Sequence, residues 1–170
     1  MNFGIAYFPS KEIQDVANSY RKRYDPRYAM IPPHITLKDK FKIPEDKMDE
    51  VVAALKEIAN NTKPFKININ KVSSFEPTTN AIYFKVEPSK EIIELEEKLQ
   101  TGIFEDSRQH PFVPHVTLAQ ELSHNEFTDI LGRFNMESHN YEDTMDRFQL
   151  LYQLENGSWT VHETFVFKKD

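Results

Sequence analysis

Two different pentapeptides each occur twice in this chain, at almost the same separation. Pro9-Ser10-Lys11-Glu12-Ile13 returns unchanged as Pro88-Ser89-Lys90-Glu91-Ile92, 79 residues later. Pro33-His34-Ile35-Thr36-Leu37 returns as Pro114-His115-Val116-Thr117-Leu118, 81 residues later. A shuffled chain of this composition would hold only about 0.003 copies of Pro-His-apolar-Thr-apolar, so two copies in step with a second repeated pentapeptide indicate an architectural period. The repeat predicts two related lobes with pseudo-two-fold symmetry, intertwined in a single domain over residues 1–170. The motifs at 34–37 and 115–118 mark equivalent places in the two lobes.

Hydrophobic periodicity supplies the elements. Phe3–Phe8 reads as a strand, stopped by Pro9-Ser10 with Ser10 as N-cap, and Ile13, Val16, Ala17, Tyr20 and Tyr24 follow at helical spacing. Pro26 and Pro32-Pro33 lead in extended form into a strand over 35–41. A helix spans Met48 to Ala59, a strand with a possible bulge runs from Phe65 to Phe75, and Pro77–Asn80 turns it back into 81–86. A helix from Ser89 to Ile103 closes near Gly102, and a short strand covers 116–120. Ser123-x-x-Glu126 forms a capping box before another helix. Phe148–Leu154 and Trp159–Phe167 flank Asn156-Gly157, a hairpin signal that asks for φ > 0 at both turn positions. These connections imply antiparallel pairing, hence an α+β fold and not a doubly wound parallel sheet.

Composition narrows the function. The chain has no cysteine, which excludes disulfides, thiolate catalysis and cysteine-bound metal centres and fits a cytoplasmic protein. Four glycines without a Gly-rich run exclude the Walker loop and the dinucleotide fingerprint. No apolar run approaches the ~18 residues of a membrane span, and no secretory signal opens the chain. The net charge of −6 argues against duplex DNA as a partner. Yet residues 19–42 carry seven cations and two carboxylates. Such a window either draws an anion to one place or is the solvated end of a helix.

Residues i and i+2 of a strand share a face. Ile35 and Leu37 therefore enter the core while His34 and Thr36 stand together on the other side, and Val116, Leu118, His115 and Thr117 divide likewise. If the lobes face each other, two imidazoles and two hydroxyls converge on one cleft. Near neutral pH one histidine can serve as base and the other as acid, and the threonines can hold non-bridging phosphate oxygens. The scheme requires no metal. A zinc site would need a third ligand from elsewhere, since no His-x-His or His-Glu-x-x-His spacing occurs. His110, His124, His139 and His162 lie in no motif and are expected at the surface or in loops. A module that binds RNA ends or nucleotides without turnover, and a metal-dependent hydrolase, remain as rivals.

These paired motifs resemble the 2H phosphoesterase superfamily, defined by two His-x-Thr/Ser-x motifs on a duplicated fold. Ser19-Tyr20-Arg21-Lys22-Arg23-Tyr24-Asp25-Pro26 and Leu150–Trp159 are most similar to its bacterial YjcG-type branch. The resemblance implies a LigT-like, two-lobed α+β fold with antiparallel sheets flanked by helices around a central cleft. It implies metal-independent, cofactor-free opening of a 2′,3′-cyclic phosphate, or hydrolysis of a 2′-5′ linkage, in a small phosphodiester, nucleotide or RNA-end substrate. It assigns His34 as proton donor, His115 as proton acceptor, and Thr36 and Thr117 as phosphate-binding residues. The two histidine roles are exchangeable on sequence alone, and the oligomeric state is open.

Overall fold

The computed structural model describes residues 1–168. Eight strands and four helices follow in the order β1 (Asn2–Tyr7), α1 (Lys11–Tyr24), β2 (Ile35–Lys42), α2 (Met48–Asn60), β3 (Phe65–Ser74), β4 (Ile82–Val86), α3 (Lys90–Lys98), β5 (His115–Ala119), α4 (His124–Asn135), β6 (Tyr141–Met145), β7 (Arg147–Gln153) and β8 (Trp159–Val166). The strands form one antiparallel sheet in the order β6-β3-β4-β5-β2-β1-β7-β8. The fold is α+β and duplicated, as the repeat predicts.

The strand order is a palindrome about its centre. The two motif strands, β5 and β2, are neighbours there, flanked by the strands that open each repeat, β4 and β1. Next come β3 and β7, then the edge strands β6 and β8. Chain order and sheet order disagree in an informative way. β3 belongs to the first repeat but runs beside β4 of the second, and β7 of the second runs beside β1 of the first. The helices cross as well: α1 packs against β5 and α3 against β2. Each repeat therefore shields the motif strand of the other, and Ile35, Leu37, Val116 and Leu118 all lie buried beneath these helices.

Three expectations need correction. The Ser10 side chain does not cap α1. Asp143 of β6 accepts a 2.9 Å hydrogen bond from the Ser10 backbone N–H instead, and a 2.7 Å bond from the Tyr7 hydroxyl, so a tertiary carboxylate has displaced the local cap. α3 ends at Lys98 rather than near Ile103. There the Leu99 and Gln100 N–H groups bond the carbonyls three residues back, and Gly102, at φ 62°, turns the chain into a short 3₁₀ turn over Gly102–Phe104. The β7–β8 connection is a five-residue loop closed by the Leu154 N–H to the Ser158 carbonyl at 2.7 Å. Only Gly157 takes a positive φ (93°), while the Asn156 side chain accepts from the Ser158 N–H at 3.0 Å, so asparagine serves as a local acceptor and not as a left-handed residue. His139 lies in the loop before β6, as expected of a histidine outside the motifs, and is buried there with its ring against Phe84, Tyr20 and Tyr141. β6 was not anticipated, because Tyr141–Met145 is too polar to signal a strand. Among the described residues, no helix is long and apolar enough to cross a membrane.

Candidate active site

The site is built from one register. Ile35 of β2 pairs with Val116 of β5 in antiparallel sense. One step either way sets His34 opposite Thr117 and Thr36 opposite His115, and directly opposed side chains stand about 5 Å apart on a common face. The four motif side chains thus lie on the face away from the buried Ile35 and Val116. A cleft of about 480 Å³ opens over it, running from Gln120 and Thr117 across His34 and Thr36 to Gln153 and Trp159. Three of the four predicted residues line this cleft. His115 is not among the lining residues; its ring centroid lies 5.0 Å from those of both Phe75 and Tyr83.

Both histidines are held in the same way. The His34 Nδ1 lies 2.8 Å from the Pro32 carbonyl and the His115 Nδ1 2.6 Å from the Val113 carbonyl, each two residues upstream. A carbonyl can only accept, so Nδ1 carries the proton in both rings and Nε2 is left with its lone pair for a ligand. Among the described residues, neither the Thr36 nor the Thr117 hydroxyl is committed to a partner within the chain. The proline-rich approaches 32–33 and 111–114 supply these carbonyls, because residues beside proline stay extended and do not join a helix.

The two rings differ electrostatically. Burial pulls the His34 imidazole well below its ordinary range, to about 4, and the neighbouring Arg21 and His115 reinforce this against the Pro32 carbonyl. Burial also lowers His115, opposed only by the Val113 carbonyl. Arg21 is buried and donates to Asn18 Oδ1 at 2.7 Å, to the Ile31 carbonyl at 2.6 Å and to Asp25 at 3.2 Å. Asp25 accepts in turn from the Gln120 side chain at 2.9 Å. The basic window is therefore of two kinds. Lys22 and Arg23 are the solvated helix end, whereas Arg21, Arg27, Lys38 and Lys40 contribute to the cleft wall.

Sequence reasoning missed Trp159, Gln153 and Gln120 as cleft residues. Trp159 comes from the far hairpin; its backbone N–H bonds the Met30 carbonyl at 2.9 Å, and its ring edge lies over Gly4, where a β-carbon would meet it at 3.4 Å. The bare glycine is the one local signal of that approach. Among the described residues, no three histidine or carboxylate side chains group as metal ligands would.

Comparison with known proteins identifies the family and the fold. The family described as the 2'-5' RNA ligase superfamily matches residues 9–157. A protein of Oceanobacillus iheyensis named "Putative phosphoesterase OB1230" is 61% identical over 170 residues, covering all of both chains. Among solved structures, TT0787 of Thermus thermophilus is 20% identical with a TM-score of 0.75, covering both chains fully. Escherichia coli LigT complexed with 3'-AMP is 15% identical with a TM-score of 0.67, over 99% of this chain and 98% of that one. At these identities the two structures speak for the fold.

Proposed function

The chain belongs to the 2'-5' RNA ligase superfamily, the 2H phosphoesterases, and on that premise we propose that it opens a 2′,3′-cyclic phosphate, or cleaves a related 2′-5′ linkage, by acid–base catalysis between His34 and His115. The observation that carries this reading is the matched pair of Nδ1–carbonyl bonds, which leaves two imidazole Nε2 atoms and two uncommitted hydroxyls around one face. Water attacks phosphorus in line and one histidine takes its proton. The P–O bond to the departing ribose oxygen breaks, and the other histidine delivers a proton to that oxygen. Thr36 and Thr117 donate to the non-bridging oxygens as charge builds on them. The 3'-AMP held by the E. coli relative is a ligand of the class such a reaction would handle.

The electrostatics favour one assignment of roles. Arg21 opposes protonation of His34, outweighing the opposite pull of its partner Asp25, and has no such effect on His115. His34 is then the ring kept neutral to accept the proton, and His115 the donor, the exchange of the roles carried over from the family resemblance. Residues 1–170 are read as one domain of two intertwined lobes, because β3 of the first repeat completes the sheet beside β4 of the second, and β7 of the second beside β1 of the first. Incubation of the purified protein with a panel of 2′,3′-cyclic and 2′-5′-linked nucleotides tests the reading. Turnover lost in both His34→Ala and His115→Ala is expected; tight binding with no turnover of any member would instead favour a binding module.

A further inference from the structure

The face that carries the histidines continues outward past His115. Lys85 of β4 stands opposite His115, and Lys71 of β3 stands opposite Lys85. Opposed residues share a face, so His115, Lys85 and Lys71 form a row across strands about 4.8 Å apart. Phe84 and Val86 are buried in the core, which turns Lys85 to the open side. Lys85 is half-buried and Lys71 exposed, and among the described residues neither ammonium enters an ion pair or hydrogen bond. On a chain of net charge −6 these are two unneutralised cations side by side. Phe75 and Tyr83, with ring centroids 4.3 Å apart, flank the same stretch.

We propose that Lys85 and Lys71 form a second phosphate subsite, which holds the next phosphodiester of a single-stranded oligoribonucleotide whose terminal phosphate reacts between the two histidines. The inference rests on the phosphodiester reading above and narrows its substrate class from a mononucleotide to a strand end. Cations that follow a backbone, with aromatic rings beside them, are what single-strand binding requires. A mononucleotide would leave both lysines without a counter-charge.

Binding, measured by calorimetry, tests this without relying on turnover. The ligands are a trinucleotide bearing a 3′-phosphate and a nucleoside 3′-monophosphate. Wild type should bind the trinucleotide about tenfold or more tightly than the monophosphate. Lys85→Gln and Lys71→Gln should each weaken the trinucleotide by about three- to tenfold, change the monophosphate by less than about twofold, and lower the log–log salt slope by about 0.7. Lys85→Arg should retain trinucleotide binding. Equal losses on both ligands, or no preference for the trinucleotide, would overturn the subsite. Displacement of the trinucleotide by inorganic tripolyphosphate at equal potency would overturn strand recognition. A protein that bound the trinucleotide as expected yet turned over no phosphodiester would sink the catalytic reading alone.

Discussion

Ile35 and Val116 are paired across the middle of the sheet, and neither touches the cleft. Their register nevertheless sets the geometry of the proposed site, because it brings each motif histidine opposite the other motif's threonine. A slip of one residue in either strand would send one histidine–threonine pair into the core.

The threonine hydroxyls should act on the transition state. Thr36→Val and Thr117→Val keep the shape and remove the donor. Each is expected to cost about 2–4 kcal/mol in kcat/KM on a good cyclic phosphate, the scale of one oxyanion donor. Thr→Ser should be much milder. Steady-state kinetics read this directly, and a valine variant as active as wild type would remove that threonine from the mechanism.

The histidines should behave as one unit. His34→Ala and His115→Ala should each abolish most turnover, and the double variant should be scarcely worse than either. The kcat/KM profile of wild type should be bell-shaped. With His34 as base, His34→Ala should lose the acidic limb of its residual activity and His115→Ala the alkaline limb. The opposite pattern would restore the donor role to His34.

Stability should fall in acid for a stated reason. The folded His34 ring titrates near 4, below the ordinary value of about 6.5 for an unfolded chain. Between those values the unfolded state binds more protons, so stability declines as the pH drops from 6.5 towards 4 and the contribution levels off below that. Urea midpoints across this window should drop less steeply for His34→Gln than for wild type. Parallel curves would show that His34 does not hold its proton less tightly in the fold.

Arg21 should matter twice. Arg21→Met leaves the buried Asp25 without its cationic partner, with only the Gln120 side chain and the Arg27 N–H still donating to it, and the expected loss is about 3 kcal/mol in chemical denaturation. The same change frees the Ile31 carbonyl next to Pro32, whose own carbonyl orients His34. Activity measured well below the unfolding midpoint should therefore also decline. A variant destabilised but fully active would confine Arg21 to structure.

Removal of metals should leave turnover intact, since the proposed acid and base need no Lewis acid. Exhaustive EDTA treatment followed by assay decides it. Activity lost and then restored by one divalent ion would overturn the histidine-only mechanism.

How legible all this was in the sequence depended on range. The placement of His34, Thr36, His115 and Thr117 on one face follows from strand periodicity and a repeat, both local, and the structure has the same arrangement. The capping box fared as well: Ser123 and Glu126 bond each other's backbone N–H at 3.2 and 3.0 Å. What failed was long-range. The acceptor that replaces the Ser10 cap lies 133 residues away in Asp143, and no local pattern encodes that. The burial of His139 depends on rings from Tyr20 and Phe84, and the arrival of Trp159 at the cleft depends on β7 pairing with β1. Strand exchange between repeats leaves no trace in periodicity.

That both halves of the sheet sit on one covalent chain frees them from being alike. Arg21 and Gln100 are 79 positions apart, the offset of the repeat itself. Both are buried, and both brace the loop that enters a motif strand, Arg21 through the Ile31 carbonyl and Gln100 through the Ser107 N–H at 3.1 Å. Only one of them is charged. Two identical subunits related by a true two-fold axis would have to place the same residue at both positions, and a ligand with unlike ends would sit in either direction with equal energy. A fused pair can let equivalent positions diverge, so that its cleft has a head and a tail.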